Sequence, residues 1–289
     1  MLSGGDASSQ SAHAATALPG GVYTLGDGPA EQDRLQQQAG SLGGLNEVLL
    51  DRVGIRPGWS AVDLGCGPGG ALGPLAARTG PDGHVTGVDL NPAHAATARD
   101  FAARRGLGNV QIVTADARRT GLPGGTFDVV HARLLMVNVP RPEEVAAEMA
   151  RLAKPGGWVA ALESDVTVLC YPPHPAVDRA TALLRASYRL DGADPDLGRR
   201  LPHLFRDAGL ADVGVEARAE VYPAGHPQRT VDIDLVQAMR SKIVMRGLAG
   251  EAELDMLDTA ARRHLSDPGT LIVPNIFFLA WARKPFLLD

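Results

Sequence analysis

The stretch from Asp63 to Gly70 reads Asp-Leu-Gly-Cys-Gly-Pro-Gly-Gly, a carboxylate at the end of an apolar run followed by four glycines within six residues. Glycine adopts positive φ and lets the main chain approach a ligand closely, so this is a ligand-binding turn between a strand and a helix. Asp89 ends the next apolar run twenty residues after Gly69, where a carboxylate can accept from ribose hydroxyls. These features by themselves suit a dinucleotide about as well as another nucleoside. Two residues separate the readings. Pro68 removes an N–H close to where a pyrophosphate needs donors, and Asp63 sets a negative charge beside it. Both suit a cationic ligand without phosphate, such as a sulfonium with a free α-amino group. The residues favour S-adenosylmethionine over NAD.

Such a turn must be carried by alternating strands and helices. Strands are predicted over 60–65, 84–90, 110–116, 127–133 and 158–164, and helices over 70–80, 92–106 and 141–157. The repeated β-α unit points to a parallel sheet with helices on both faces. Before it, helices are expected over 29–40 and 44–53. After it come helices over 175–190 and 198–209, a strand within 212–222, helices over 231–247 and 251–265, and an apolar closing strand over 270–284. The expected domain plan is a disordered tail over 1–20, an N-terminal helical lid over 21–56, a nucleotide-binding core over 57–170, and a remainder over 171–289. That remainder includes a helical cap near 171–210 and 228–268.

Bulk properties narrow the function. With 289 residues, 45% of them apolar, the chain can bury a full core. A net charge of −5 argues against nucleic-acid partners, and no apolar run is long enough for a transmembrane helix. The first residues have no signal-peptide pattern, so the expected compartment is the cytoplasm. Two cysteines, Cys66 and Cys170, carry no metal-ligand spacing, and no metal is expected. The expected partner is a small molecule, with room for a homo-oligomer.

Five blocks then carry a resemblance: VDLGCGPGG, GVDLNP, VTADAR, FDVVHARLLMVNV and LAKPGGWVAALE, in that order over roughly 60–165. Together they resemble class I S-adenosylmethionine-dependent methyltransferases. VYTLGDGPAEQDRLQQQA (22–39) and FLAWARKP (278–285) are similar to the first and last segments of a bacterial subfamily that methylates small molecules of secondary metabolism. The resemblance implies a Rossmann-like doubly wound sheet of seven strands, the last antiparallel, with an N-terminal helical lid and a helical insert before the final strand. It implies that Asp63, Gly65, Cys66 and Gly67 hold the methionine end of S-adenosylmethionine, Asp89 the ribose, and Leu90 the adenine face. Asp116 and Ala117 would meet the adenine edge, His131 and Arg133 would line the methionine moiety, and Tyr23 and Gln38 would close over the cofactor. S-adenosylhomocysteine would be the product. Where many relatives carry histidine this chain has Asn138, so a histidine base is missing there, and Asn138 is expected to contact substrate, with an end to the loop after the fourth strand as its plainer reading.

Methyl transfer from a sulfonium is an in-line displacement that rests on alignment and exclusion of water, and alignment can supply about 7–11 kcal/mol. A base adds about 10²–10⁴-fold where the acceptor must lose a proton. The candidates are Tyr23, Glu163, Asp165 and His174, with Glu163 also a substrate contact. Each has a plainer reading: Glu163 and Asp165 as internal partners, His174 as a helix cap, Tyr23 as packing. The expected acceptor is a natural product, an aromatic or indole-type carbon, nitrogen or oxygen nucleophile. A cofactor-binding enzyme that carries out a pericyclic or other rearrangement without methyl transfer stays open, because the motif blocks report only cofactor binding.

Overall fold

The computed structural model describes residues 42–286. Tyr23, Gln38, the expected tail and the expected helix over 29–40 lie outside the described residues.

Helix α1 (Gly43–Val53) leads into β1 (Ser60–Leu64), α2 (Leu72–Thr79), β2 (His84–Asp89), α3 (Pro92–Arg104), β3 (Val110–Thr114) and β4 (Phe127–Arg133). A 3₁₀ turn (Met136–Asn138), α4 (Pro142–Leu152) and β5 (Ala153–Asp165) follow. The later half runs β6 (Leu169–Tyr171), α5 (Pro175–Leu190), α6 (Leu197–Asp207), β7 (Ala211–Ala219), a 3₁₀ turn (Pro227–Thr230), α7 (Val231–Ala238), α8 (Arg240–Met245), α9 (Glu251–Ser266), β8 (Leu271–Val273) and β9 (Ile276–Arg283).

Seven strands form one sheet in the order β3–β2–β1–β4–β5–β9–β7. Strand β9 is antiparallel to both its neighbours, β5 and β7, and the strands from β3 to β5 are parallel. This is the expected Rossmann-like sheet with its last strand antiparallel. Side chains alternate along the central strands: Ala61, Val129, Ala160 and Leu162 pack with α1 and α2, while Val62, Val130, Val159 and Ala161 belong to the core on the other face. Helix α1 sends Leu45, Leu49, Leu50 and Val53 into that first core. The described end of the expected lid is thus a structural helix of the sheet.

Three expected elements differ. The helix expected over 141–157 ends at Leu152, and Lys154-Pro155-Gly156-Gly157 opens β5 instead. Gly156 stands at φ +75° with the Phe286 ring where a Cβ would fall, and a register shift between Phe127 and Val129 absorbs the extra residues. The closing strand over 270–284 is broken at Pro274-Asn275, since proline cannot donate to a ladder. Its first part, β8, pairs with β6 as a separate ribbon. The helix over 231–247 divides at Met239 into α7 and α8.

Candidate functional site

In open parallel sheets, ligands bind beyond the carboxyl ends of the strands where the order reverses. Here that place is the end of β1, between β2 and β4. Gly65, Gly67 and Gly69 all take positive φ there. A Cβ at Gly65 would lie 2.7 Å from Leu135 Cδ1, and one at Gly69 would lie 2.9 Å from Phe101 Cδ1. Gly67, at φ +53°, has no atom of the described residues within 4 Å of the same point. Two of the glycines therefore admit protein neighbours, and Gly67 leaves an open surface for a ligand.

The acids form a rising path. Leu64 pairs with Val88, so Asp89 lies one residue above that level, and Asp89 pairs with Thr114, which leaves Asp116 two residues higher again. Neighbouring strands are about 4.8 Å apart, so the path crosses about 10 Å of the sheet's width while it rises. Asp89 is tied down by main chain: Gly67 N–H donates to Oδ2 at 2.8 Å and Asn91 N–H to Oδ1 at 2.9 Å. His94 Nδ1 also lies 3.6 Å from Oδ1, and the lone pair left on Oδ2 is an acceptor for a ribose hydroxyl. Asn91 also caps α3, its Oδ1 accepting from Ala93 N–H at 2.9 Å ahead of Pro92.

Asp63 is 2% exposed and takes the Nδ1–H of His131 at 2.7 Å. His131 Nε2 is 2.9 Å from Asn46 Oδ1, in α1. His131 has no exposed surface and both ring nitrogens are committed. The expectation that it lines the methionine moiety is therefore corrected: it holds Asp63 in place and ties the turn to α1. Arg133, at the end of β4, makes no hydrogen bond or ion pair among the described residues. Burial lowers its pKa, and the Asp63 charge opposes that shift. A desolvated guanidinium whose donors meet no acceptor among the described residues suits a carboxylate. Cys66 packs under the turn, 5% exposed, and burial raises its thiol well above the ordinary range. It remains a neutral, small side chain. Leu90 is half-buried and Ala117 buried beside the path.

The candidate bases fare differently. Glu163 has no exposed surface, and its carboxylate accepts from three successive N–H groups, Leu135 and Met136 on Oε1 at 3.0 and 2.8 Å and Val137 on Oε2 at 3.2 Å. Burial pushes its pKa up to about 7, against the backbone donors that favour the ionised form. Its oxygens hold the turn after β4, so Glu163 positions that loop. Asp165 is fully buried; it accepts from Arg199 N–H at 3.2 Å and from the Arg199 guanidinium, near the N-terminus of α6. Its negative charge there complements the helix dipole. His174 caps α5, with Nδ1 accepting from Ala176 N–H at 3.2 Å, and its ring stacks on His264 at 4.6 Å. The expected mouth position for both acids and the chemical role for His174 give way to these structural bonds. Asn138, 6% exposed, donates from Nδ2 to Leu134 O at 2.8 Å, and its buried Oδ1 has no partner.

Asn46 and Arg118 belong to this region and were not expected from the sequence. Asn46 had a signal: a polar residue three and four positions before Leu49 and Leu50, on the apolar stripe of α1. Among the described residues no group of three or more His, Cys, Asp or Glu is arranged to hold a metal ion, and no helix is long and apolar enough to cross a membrane.

The open surface at Gly67, the carboxylate of Asp89 and an Arg133 that has no partner among the described residues fit a nucleoside carrying an amino-acid tail. A family model for a methyltransferase domain matches residues 61–157. The chain is 45% identical over 112 residues to nocamycin O-methyltransferase of Saccharothrix syringae, which covers 38% of this chain and 40% of that relative. Its aligned part thus spans well under two thirds of that relative. It is 30% identical over 183 residues to demethylmenaquinone methyltransferase of Geobacillus kaustophilus, covering 59% of this chain and 78% of the relative. Among solved structures, the [4+2]-cyclase SpnF shares the fold, with a TM-score of 0.55 at 21% identity over 84% of this chain and 80% of that one. Sequence identity that runs through most of an intact methyltransferase, with the glycine turn inside the matched segment, decides the matter: the chain belongs to the class I S-adenosylmethionine-dependent methyltransferases.

Proposed function

We propose that this enzyme transfers a methyl group from S-adenosylmethionine to a small natural product bearing an aromatic or indole-type carbon, nitrogen or oxygen nucleophile. The observation that carries the cofactor half is the stepped path of acids around the open face of Gly67. Asp89 would hold the ribose hydroxyls, Asp116 and Ala117 the adenine edge, Leu90 its face, and Gly65, Gly67 and Arg133 the amino-acid end. Asp63, braced by His131, sets negative charge near that end. When bound, S-adenosylmethionine supplies an electrophilic methyl group on a sulfonium. The protein's own part is to orient the two reactants and exclude water. The likeness to nocamycin O-methyltransferase supports the natural-product acceptor. Asn138, with its unpartnered buried Oδ1 beside the end of β4, is the acceptor-side polar group, and the cap over 171–210 and 228–268 encloses the acceptor.

The test is incubation with methyl-labelled S-adenosylmethionine and a panel of phenols, indoles and amines. Label in the product with formation of S-adenosylhomocysteine is expected. Binding of NAD without binding of S-adenosylhomocysteine would overturn the reading. A second reading, rearrangement without methyl transfer, draws on one observation: Glu163, Asp165 and His174 are all committed to structural bonds. An acceptor converted with no gain in mass and no consumption of label would favour it.

A further inference from the structure

The three acids on the path are held in different ways. Asp63 is braced by a histidine and Asp89 by main chain, but Asp116 is gripped by a side chain of its own turn. Asp116 Oδ1 accepts from Arg118 N–H at 2.9 Å and from Arg118 Nε at 3.0 Å. Its Oδ2 accepts from an Arg118 terminal nitrogen at 2.6 Å, with Nε at 3.1 Å. A side-on guanidinium uses the facing lone pair of each oxygen, and the Arg118 main chain takes the second on Oδ1. One lone pair remains, on Oδ2. The Asp116 side chain is 30% exposed while Arg118 is only 10% exposed, so the carboxylate reaches the surface of the site from an anchored arginine.

We propose that Arg118 is a positioning residue that sets nucleobase specificity: it fixes Asp116 as an ionised group with a single free acceptor, which takes the exocyclic amine of adenine and repels a carbonyl in the same place. The proposal rests on the reading that Asp116 meets the adenine edge. The electrostatics agree with the geometry. The Arg118 hydrogen bonds hold the Asp116 carboxyl below the ordinary range, with further help from the charge of Arg141, and Glu144 helps to hold Arg118 in its charged form. An ionised carboxylate is acceptor-only, whereas a protonated one could turn a hydroxyl toward a carbonyl and blur the distinction. Nothing else in the Asp-Ala-Arg-Arg turn supplies this constraint: Arg119 meets Asp116 through main-chain atoms, its N–H donating to the Asp116 carbonyl at 2.9 Å.

The test is calorimetric titration of the full chain with S-adenosylhomocysteine and with S-inosylhomocysteine, which presents a carbonyl where adenine presents an amine. The wild type should prefer the adenine form by about tenfold or more, the range of a hydrogen bond to a charged group. Arg118→Met should bring the two affinities to within about threefold of each other, and Arg118→Lys, which keeps the charge but not the fork, should recover part of the preference. A ratio between two ligands of one protein is not moved by general loss of stability. Asp116→Asn separates the two layers of the argument. If Asp116→Asn loses the preference and both Arg118 variants keep it, Arg118 is not the positioning residue and the inference fails. If Asp116→Asn itself keeps the full preference, Asp116 does not meet the base and the underlying reading fails with it. Should Arg118→Met not fold, an Arg118→Lys ratio equal to that of the wild type would overturn the proposal.

Discussion

The half of the molecule around β1–β3 and the cap around α7 and α9 both bury polar groups, and they satisfy them by opposite means. On the nucleotide side, partners come from near in sequence or from neighbouring strands: Asp89 from Asn91 and Gly67, Asp116 from Arg118. In the cap they come from far along the chain. Arg229, 4% exposed, donates to the carbonyls of Leu265, Tyr222, Asp267 and Thr270, and so rivets the turn before α7 to the end of α9 and the start of β8. Asp232, one turn of chain later, is equally buried. It accepts from Asn275 Nδ2 at 3.3 Å, and its Oδ2 has no partner. The contrast teaches that the acids after β2 and β3 are held by their own turns and the adjoining glycine turn, with Asp63 and its His131 brace the exception, whereas the cap holds its shape through polar fastenings between separate helices and turns.

The strongest way to break that contrast is Arg229→Met. Four carbonyls, two of them buried, would lose a charged donor, a loss of about 3–5 kcal/mol by analogy with breaking a buried charged network. A fall in Tm of roughly 10 °C is expected by differential scanning calorimetry, and an unchanged Tm would refute the rivet. Glu163→Ala tests the loop that joins the two halves. It strips three buried N–H groups of their acceptor and should cost about 3 kcal/mol, read as a lower denaturation midpoint together with loss of transfer.

Asp89→Ala works on the nucleotide side. Removal of acceptors for the ribose and of the brace on Gly67 should weaken S-adenosylhomocysteine by about 1–3 kcal/mol, with little change in Tm, since the partners it leaves are close to solvent. Titration calorimetry gives the first number and thermal melting the second.

Asp232→Asn sharpens the comparison most finely. Burial pushes the Asp232 carboxyl up to about 7 from its ordinary 3.8. A group raised in the folded state binds its proton more tightly there than in the unfolded chain. Its contribution to stability is therefore full below pH 3.8 and is lost as pH rises through 7. The asparagine variant does not titrate, so it should be less stable than the wild type near pH 4, and match or exceed it by about 1 kcal/mol near pH 8. A gap independent of pH would place Asp232 in a less buried setting than the structure gives it.

How much of this was legible in the sequence follows the same divide. The turn from Asp63 to Gly70, the acids after each strand and the order of strands could be read because each depends on neighbours within a few residues or on a period of two. Glu163, Asp165 and His131 were read as facing a ligand because a strand pattern says which side chains share a face and not what lies opposite. What lies opposite proved to be three N–H groups of the turn after β4, Arg199, and Asn46.

The sequence by itself determined the sheet, the glycine turn and the type of cofactor, since strand alternation, positive-φ glycines and strand-end acids are local properties that any fold of this chain must express. Only the tertiary structure decided which polar residues are fastenings and which remain free. The reason is physical: a buried carboxylate, imidazole or guanidinium must find its partner before it can do anything else. For Glu163 that partner is 26 to 28 residues away, for His131 it is 68 and 85, and for Arg229 it is 36 to 41 on one side. Arg133 finds none among the described residues.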